Sequence, residues 1–90
     1  MYLLKYSRHF KKDLRSYRYD KGFLDELEKV LNLLAKGADL PDKYHSHPLS
    51  GEFKGCFDCY IRSDIVLIYK IEEATLLILF LRVGSHSKLF

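Results

Sequence analysis

The hydrophobic pattern of this 90-residue chain changes period once, between its first and second halves. From Ser7 to Leu34 the apolar residues recur at three and four: Phe10, Leu14 and Tyr17, then Phe23, Leu24, Leu27, Val30, Leu31 and Leu34. That spacing marks two helices, each with one buried stripe. From Phe57 onward the texture is that of strands. In Phe57–Arg62 the alternation puts Phe57, Cys59 and Ile61 on one face and Asp58, Tyr60 and Arg62 on the other. Ile65–Lys70 is rich in β-branched residues, and Leu76–Arg82 is apolar on both faces, as a central strand is. Tyr2–Tyr6 reads as a short opening strand.

Punctuation agrees with this division. Ser7 is a helix N-cap candidate, Asp20-Lys21-Gly22 interrupts the helical pattern, and Gly37 supplies a stop. Ser63-Asp64 and Glu72–Thr75 are turns between strands. Residues 38–52 carry Pro41, Pro48 and Gly51 without periodicity and read as a loop, and residues 83–90 read as a short polar tail that ends apolar. The order βααβββ predicts an α+β domain in which a two-helix hairpin packs on one face of a mainly antiparallel four-stranded sheet. Residues 1–90 fit one domain and are too few for two independent cores.

Charge adds an asymmetry that the net value of +3 conceals. Residues 1–21 contain Lys5, Arg8, Lys11, Lys12, Arg15, Arg18 and Lys21 against only Asp13 and Asp20, so the rest of the chain is net acidic. The first helix therefore presents a cationic surface, with Tyr2, Tyr6, Tyr17 and Tyr19 interleaved. Cations neutralise phosphates and exposed rings stack on unpaired bases, although a basic outer face is more commonly mere solvation. The longest apolar run, Ala74 to Leu81, is too short to span a membrane, and basic residues interrupt every apolar stretch near the start. Two cysteines in 90 residues do not make a disulfide framework, so a reducing cytoplasm is the expected compartment.

Two clusters could carry chemistry. Cys56 and Cys59, with His45 and His47 upstream, have the residue types of a zinc site. Residues three apart on a strand point to opposite faces, however, and no glycine separates the thiols, so buried free cysteines are the stronger reading. The second cluster is His47, Tyr60, Arg82 and His86, which the inferred sheet can bring together. Imidazoles titrate near neutrality and a guanidinium grips a phosphate, a combination suited to cleaving RNA without a metal.

Several separated motifs, in order, strengthen that reading. His47-Pro48-Leu49-Ser50-Gly51, Phe53-Lys54-Gly55, Asp64 through Lys70, and Arg82-Val83-Gly84-Ser85-His86 through Phe90 resemble the YafQ branch of the RelE/ParE toxin superfamily. The resemblance spans the chain and implies a cytoplasmic endoribonuclease, the toxin of a type II toxin–antitoxin pair. Such an enzyme cuts mRNA on the ribosome, without cofactor or metal, and a cognate antitoxin neutralises it. Carried over by motif, the implied site is His47, Asp64, Arg82, His86 and Phe90, with Tyr60 standing where relatives carry histidine and Ile65 where they carry tryptophan. The expected roles are His47 as base, His86 as acid, Arg82 as stabiliser of phosphoryl charge, Asp64 as a group orienting a histidine, and Phe90 as a packing or stacking ring. Arg8, Lys11, Lys12, Arg15, Arg18, Lys54 and Arg62 are the expected RNA-binding cations. Two other readings share the scaffold: a ParE-like inhibitor that binds DNA gyrase without chemistry, and a degenerate module that only binds an antitoxin.

Overall fold

A computed structural model describes residues 1–90. Strand β1 (Leu3–Tyr6) leads into helix α1 (Arg8–Leu14), whose last turn tightens to a 3₁₀ turn at Arg15–Tyr17, and then into helix α2 (Lys21–Ala35). After a 3₁₀ turn at Asp42–Tyr44 come β2 (His47–Pro48), a second 3₁₀ turn (Gly51–Phe53), β3 (Phe57–Arg62), β4 (Ile65–Glu72), β5 (Leu77–Ser85) and the four-residue helix α3 (His86–Leu89). The strands form one sheet in the order β1-β5-β4-β3-β2; β1 runs parallel to β5, and the other neighbours are antiparallel.

The helix boundaries follow from side-chain and backbone hydrogen bonds. Ser7 accepts from the Phe10 amide and Asp20 from the Phe23 amide, so each caps a helix start. Gly37, at a φ of 74°, closes α2 as a Schellman turn: its amide donates to the Leu34 carbonyl and that of Ala38 to Leu33. Both helices cover one sheet face. Phe10 of α1, with Phe23, Leu27, Val30 and Leu34 of α2, meets Cys59, Ile61, Leu67, Tyr69, Ile78, Phe80 and Val83 from the strands. At its centre Phe80 is fully buried, with the rings of Tyr6, Phe10 and Tyr69 at centroid distances of 5.5, 5.9 and 6.2 Å.

The sheet has five strands rather than four. The segment read as a loop contains the two-residue strand His47–Pro48, an edge position that tolerates proline because its missing N–H faces no partner. The region read as a polar tail is ordered as well. β5 continues to Ser85, whose side chain then caps α3 by accepting from the Lys88 amide. Leu89 of α3, with Leu49 and Phe53 of the preceding loop, packs on Val66, Ile68 and Cys56 to cover part of the second face. Gly84 makes room for this, since a Cβ there would lie 3.5 Å from the Leu89 side chain.

Two register shifts redirect arginines. β3 steps from Tyr60 to Arg62 against consecutive residues of β4, leaving Ile61 as the extra residue of a bulge. Arg62 consequently leaves the Asp58–Tyr60 face that strict alternation assigns to it. Its guanidinium bonds to Asp20 at the start of α2 and lies 5.3 Å over the Phe23 ring. β5 shifts likewise at Leu81, just where β1 ends. Beyond that point α1 takes over as the hydrogen-bonding neighbour of β5: the Ser7 hydroxyl donates to the Leu81 carbonyl, and Asp13 accepts from the Val83 amide.

Candidate functional site

The second sheet face gathers the candidate residues because the registers align them. His47 of β2 faces Asp58 of β3, Asp58 faces Ile68 of β4, and Ile68 faces Arg82 of β5. Neighbouring strands are about 4.8 Å apart, so this row spans roughly 14 Å of backbone. Tyr60, two residues along β3, shares the face, opposite Val66 and Gly84. α3 leaves the end of β5 and swings His86 and Phe90 over the same region.

One charge contact on this face lies between His47 and Asp58. His47 Nδ1 is 3.0 Å from Asp58 Oδ1 and 2.9 Å from the carbonyl oxygen of His45. Both neighbours are acceptors, so a proton on Nδ1 is donated toward them, and Nε2 lies outside both contacts. Asp58 is only 1% exposed, and its Oδ1 finds no hydrogen bond of good geometry. Burial pushes its carboxyl above the ordinary value of 3.8, while the fields of His47 and His86 pull it back.

His86 is positioned from its backbone and its ring. Its amide donates to the Asp64 carbonyl at 2.8 Å, its imidazole stacks within 12° of the Tyr60 plane at 6.3 Å, and Phe90 lies 4.8 Å away on the next helical turn. Phe90 in turn meets Phe53 edge-on at 5.8 Å, so the 3₁₀ turn at Gly51–Phe53 buttresses α3. Tyr60 also meets His45 edge-on at 6.3 Å.

Two further placements bear on the expected roles. The carboxylate in contact with His47 is Asp58, while Asp64, whose side chain is exposed, meets His86 through its carbonyl, which accepts from the His86 amide. Arg82 belongs to the row, but its Nε and Nη2 donate to the Asp13 carboxylate at 2.7 and 3.2 Å. Burial would raise the Asp13 carboxyl, yet the hydrogen bonds from Arg82 and the Val83 amide outweigh it and hold the group below 3.8. Asp13 also raises the Arg82 guanidinium, and Glu52 of the covering loop adds to that. Arg82 keeps Nη1 outside the Asp13 contact.

The cationic set is exposed, with Arg8, Lys11, Lys12, Arg15 and Arg18 around α1 and Lys54 on the covering loop. Part of the aromatic interleaving is engaged in packing. Tyr6 stacks on Phe10 and Phe80 but stays 39% exposed, Tyr17 packs at 4.4 Å on Phe23, the Tyr2 hydroxyl donates to Glu73, and Tyr19 is 89% exposed beneath the Arg18 guanidinium. Cys59 lies in the helix-side core and Cys56 in the second cluster, so the thiols face opposite sides. Burial raises both, Cys59 to about 12. No group of three or more His, Cys, Asp or Glu side chains is placed to hold a metal ion.

Sequence reasoning missed Asp58 and Phe53 as site residues and weighed His45 only as a metal ligand. Asp58 left one signal: a carboxylate flanked by Phe57 and Cys59 in a strand that is otherwise half core.

Known proteins share this fold over its whole length. A family model described as the bacterial toxin of type II toxin-antitoxin system, YafQ, matches residues 2–90. The mRNA interferase toxin YafQ of Escherichia coli K12 is 33% identical over 88 residues, which cover 97% of this chain and 94% of the relative. Among solved structures, a metal-bound toxin from Helicobacter pylori is 36% identical, with a TM-score of 0.91 and all of both chains covered. YafQ in the E. coli DinJ-YafQ complex is 32% identical with a TM-score of 0.87, covering 100% of this chain and 99% of its own. With near-complete coverage in sequence and in structure, this chain belongs to the YafQ family of bacterial type II toxin–antitoxin toxins.

Proposed function

We propose that this protein is an endoribonuclease that cleaves mRNA in the cytoplasm, on translating ribosomes, and that a cognate antitoxin holds it inactive. The observation carrying this reading is that one sheet face holds His47 beside the buried Asp58 and, two residues along the same strand, Tyr60 stacked on His86. Two imidazoles on one face can supply a base and an acid to the same phosphodiester. The relatives are named mRNA interferase toxins, and one is solved with its partner DinJ, which supports the substrate and the partner class.

In this mechanism Nδ1 of His47 is held protonated by the His45 carbonyl and Asp58, so Nε2 takes the proton from the ribose 2′-OH. The freed oxygen attacks the adjacent phosphorus in line, and the P–O5′ bond breaks. His86, stacked on Tyr60, gives a proton to the departing 5′-oxygen, leaving a 2′,3′-cyclic phosphate. Asp58 stabilises the His47 imidazolium as it forms, the part that a buried aspartate plays towards the histidine of a catalytic triad. Arg82, oriented by Asp13, offers Nη1 to the charge growing on the phosphoryl oxygens. Phe90 packs beside the acid, and the α1 cations guide the strand.

Purified protein incubated with mRNA, with and without ribosomes, tests the reading. Cleavage should leave cyclic phosphate ends, and His47→Ala and His86→Ala should each abolish it while antitoxin affinity persists. Normal cutting by both variants would remove the assigned roles. Cutting that is equally fast without ribosomes would remove the ribosome from the reading.

A further inference from the structure

The largest cleft in the molecule, about 490 Å³, lies beside the His47–Asp58 pair rather than on it. Glu26 of α2, Lys43 and His45 of the connecting turn, and Tyr60, Arg62 and Ser63 at the end of β3 line it. Its volume falls inside the range of roughly 300–1,000 Å³ usual for small-molecule pockets.

Several independent features give this cleft the means to hold a ligand. β2 pairs only with Phe57 and Asp58, so the outer edge of β3 from Tyr60 onward has no neighbouring strand, and its backbone donors and acceptors remain open. The rings of His45 and Tyr60 meet edge-to-face at 6.3 Å and wall one side with π surface. His45 is held there in the left-handed region, φ 48° and ψ 47°, a conformation uncommon for a non-glycine residue and enriched at functional sites. Lys43 and Arg62 place two cations in the lining, with side chains 64% and 46% exposed. Glu26, itself part of the lining, pairs with Lys43, and Asp20 pairs with Arg62, so both cations are held in place at the rim.

Tyr60 links this cleft to the chemistry. One side of its ring stacks with His86, and His45 meets it from another direction. A planar group in the cleft would therefore sit one tyrosine away from the imidazole assigned as acid.

We infer that this cleft is a nucleotide subsite, holding one unpaired nucleotide of the RNA strand next to the scissile phosphate. The base lies against Tyr60 and His45 and hydrogen-bonds to the open β3 edge, and its phosphate faces Lys43 and Arg62. The strand's identity rests on the ribonuclease reading, whereas the subsite itself rests on the cleft. A set of open backbone groups beside a π wall discriminates among bases by their edges, so this subsite sets sequence preference at the position it holds.

Two variants test it from outside the catalytic set: Ser63→Trp, which fills the mouth from an exposed turn, and Lys43→Ala, which removes a cation. The probe is a tetranucleotide RNA with every 2′-hydroxyl methylated, so binding is read without cleavage. Both variants should weaken its binding about tenfold, the order of one base-stacking contact. Cleavage of unmodified RNA should show a matching rise in KM, with kcat within about twofold and an altered base preference at one flanking position. Probe binding and cleavage equal to the parent's in both variants would overturn the subsite, as would a parent that binds no probe. Pocket-dependent binding by a parent that cuts no RNA would keep the subsite and remove only the nuclease reading.

Discussion

His47 and Asp58 face each other across the two-residue pairing of β2 with β3, Nδ1 to Oδ1 at 3.0 Å, so the shortest strand in the sheet fixes the principal charge contact of the site. Because burial raises the Asp58 carboxyl, the folded state retains that proton at pH values where the unfolded chain has lost it. Stability due to Asp58 therefore grows as the pH falls from its folded value toward 3.8, and at neutral pH its ionised form is a cost. Asp58→Asn should make the protein about 1 kcal/mol more stable in urea at pH 8. It should also slow RNA cleavage on the order of 10²-fold. Unchanged cleavage would remove Asp58 from the site.

The Asp13–Arg82 pair has the opposite sign. Asp13 is held below 3.8, so its stabilisation is complete above that value and is lost as the pH drops through the folded one. Asp13→Ala strands both the Val83 amide and the guanidinium and should cost about 2 kcal/mol in urea titrations, less than for a fully enclosed pair because Arg82 is 30% exposed. Asp13→Asn should flatten the acid limb of the stability profile. A variant with the parent's full loss of stability below pH 4 would show that other carboxylates carry it.

Gly84 separates folding from function. Alanine there meets Leu89 at an ordinary van der Waals distance and should be tolerated. Valine adds bulk that must push α3 from the sheet, carrying His86 and Phe90 with it. We expect Gly84→Val to reduce cleavage at least tenfold while shifting the urea midpoint little, because Leu89 belongs to the small second cluster. Retained activity in Gly84→Val would show that α3 need not sit where it does.

The cations of α1 make a prediction about salt. Reversing Lys11 and Lys12 to Glu should weaken RNA binding and lower the slope of log affinity against log salt concentration by about one for each phosphate that is no longer neutralised. The same change should slow antitoxin association at low salt. Binding slopes identical to the parent's would assign that face to solvation.

The helices and long strands are legible in the sequence because each repeats its signal: α2 shows six apolar positions at helical spacing, and β4 and β5 each open with five apolar residues, Ile65–Tyr69 and Leu77–Leu81. His47 and His86 are legible as candidates, but the group between them is not. Asp58 acquires its meaning from β2, two residues inside a proline-bearing stretch with no period to read, and from α3, a helix of one turn. Alternation puts Arg62 on the wrong side because a bulge at Ile61 cancels it for one residue. Tyr17 looks like a surface ring beside cations, but stacking on Phe23 claims much of it, while Tyr6 stacks one side on Phe10 and Phe80 and keeps the rest at the surface.

The parallel pairing of β1 with β5 ties Leu3 to Leu77 and Tyr6 to Phe80, partners from opposite ends of the chain. During synthesis the first strand has nothing to join until β5 emerges, and α3 follows later still. Loop closure over such a separation is slow, so α1, which packs on β5, must wait for it. A harmful enzyme laid out this way has a built-in delay: nascent chains stalled before residue 77 carry the cationic helix and His47 but neither the guanidinium nor the second imidazole. Premature termination should thus yield inert fragments, and the interval before completion is time in which an antitoxin already present can meet each new copy.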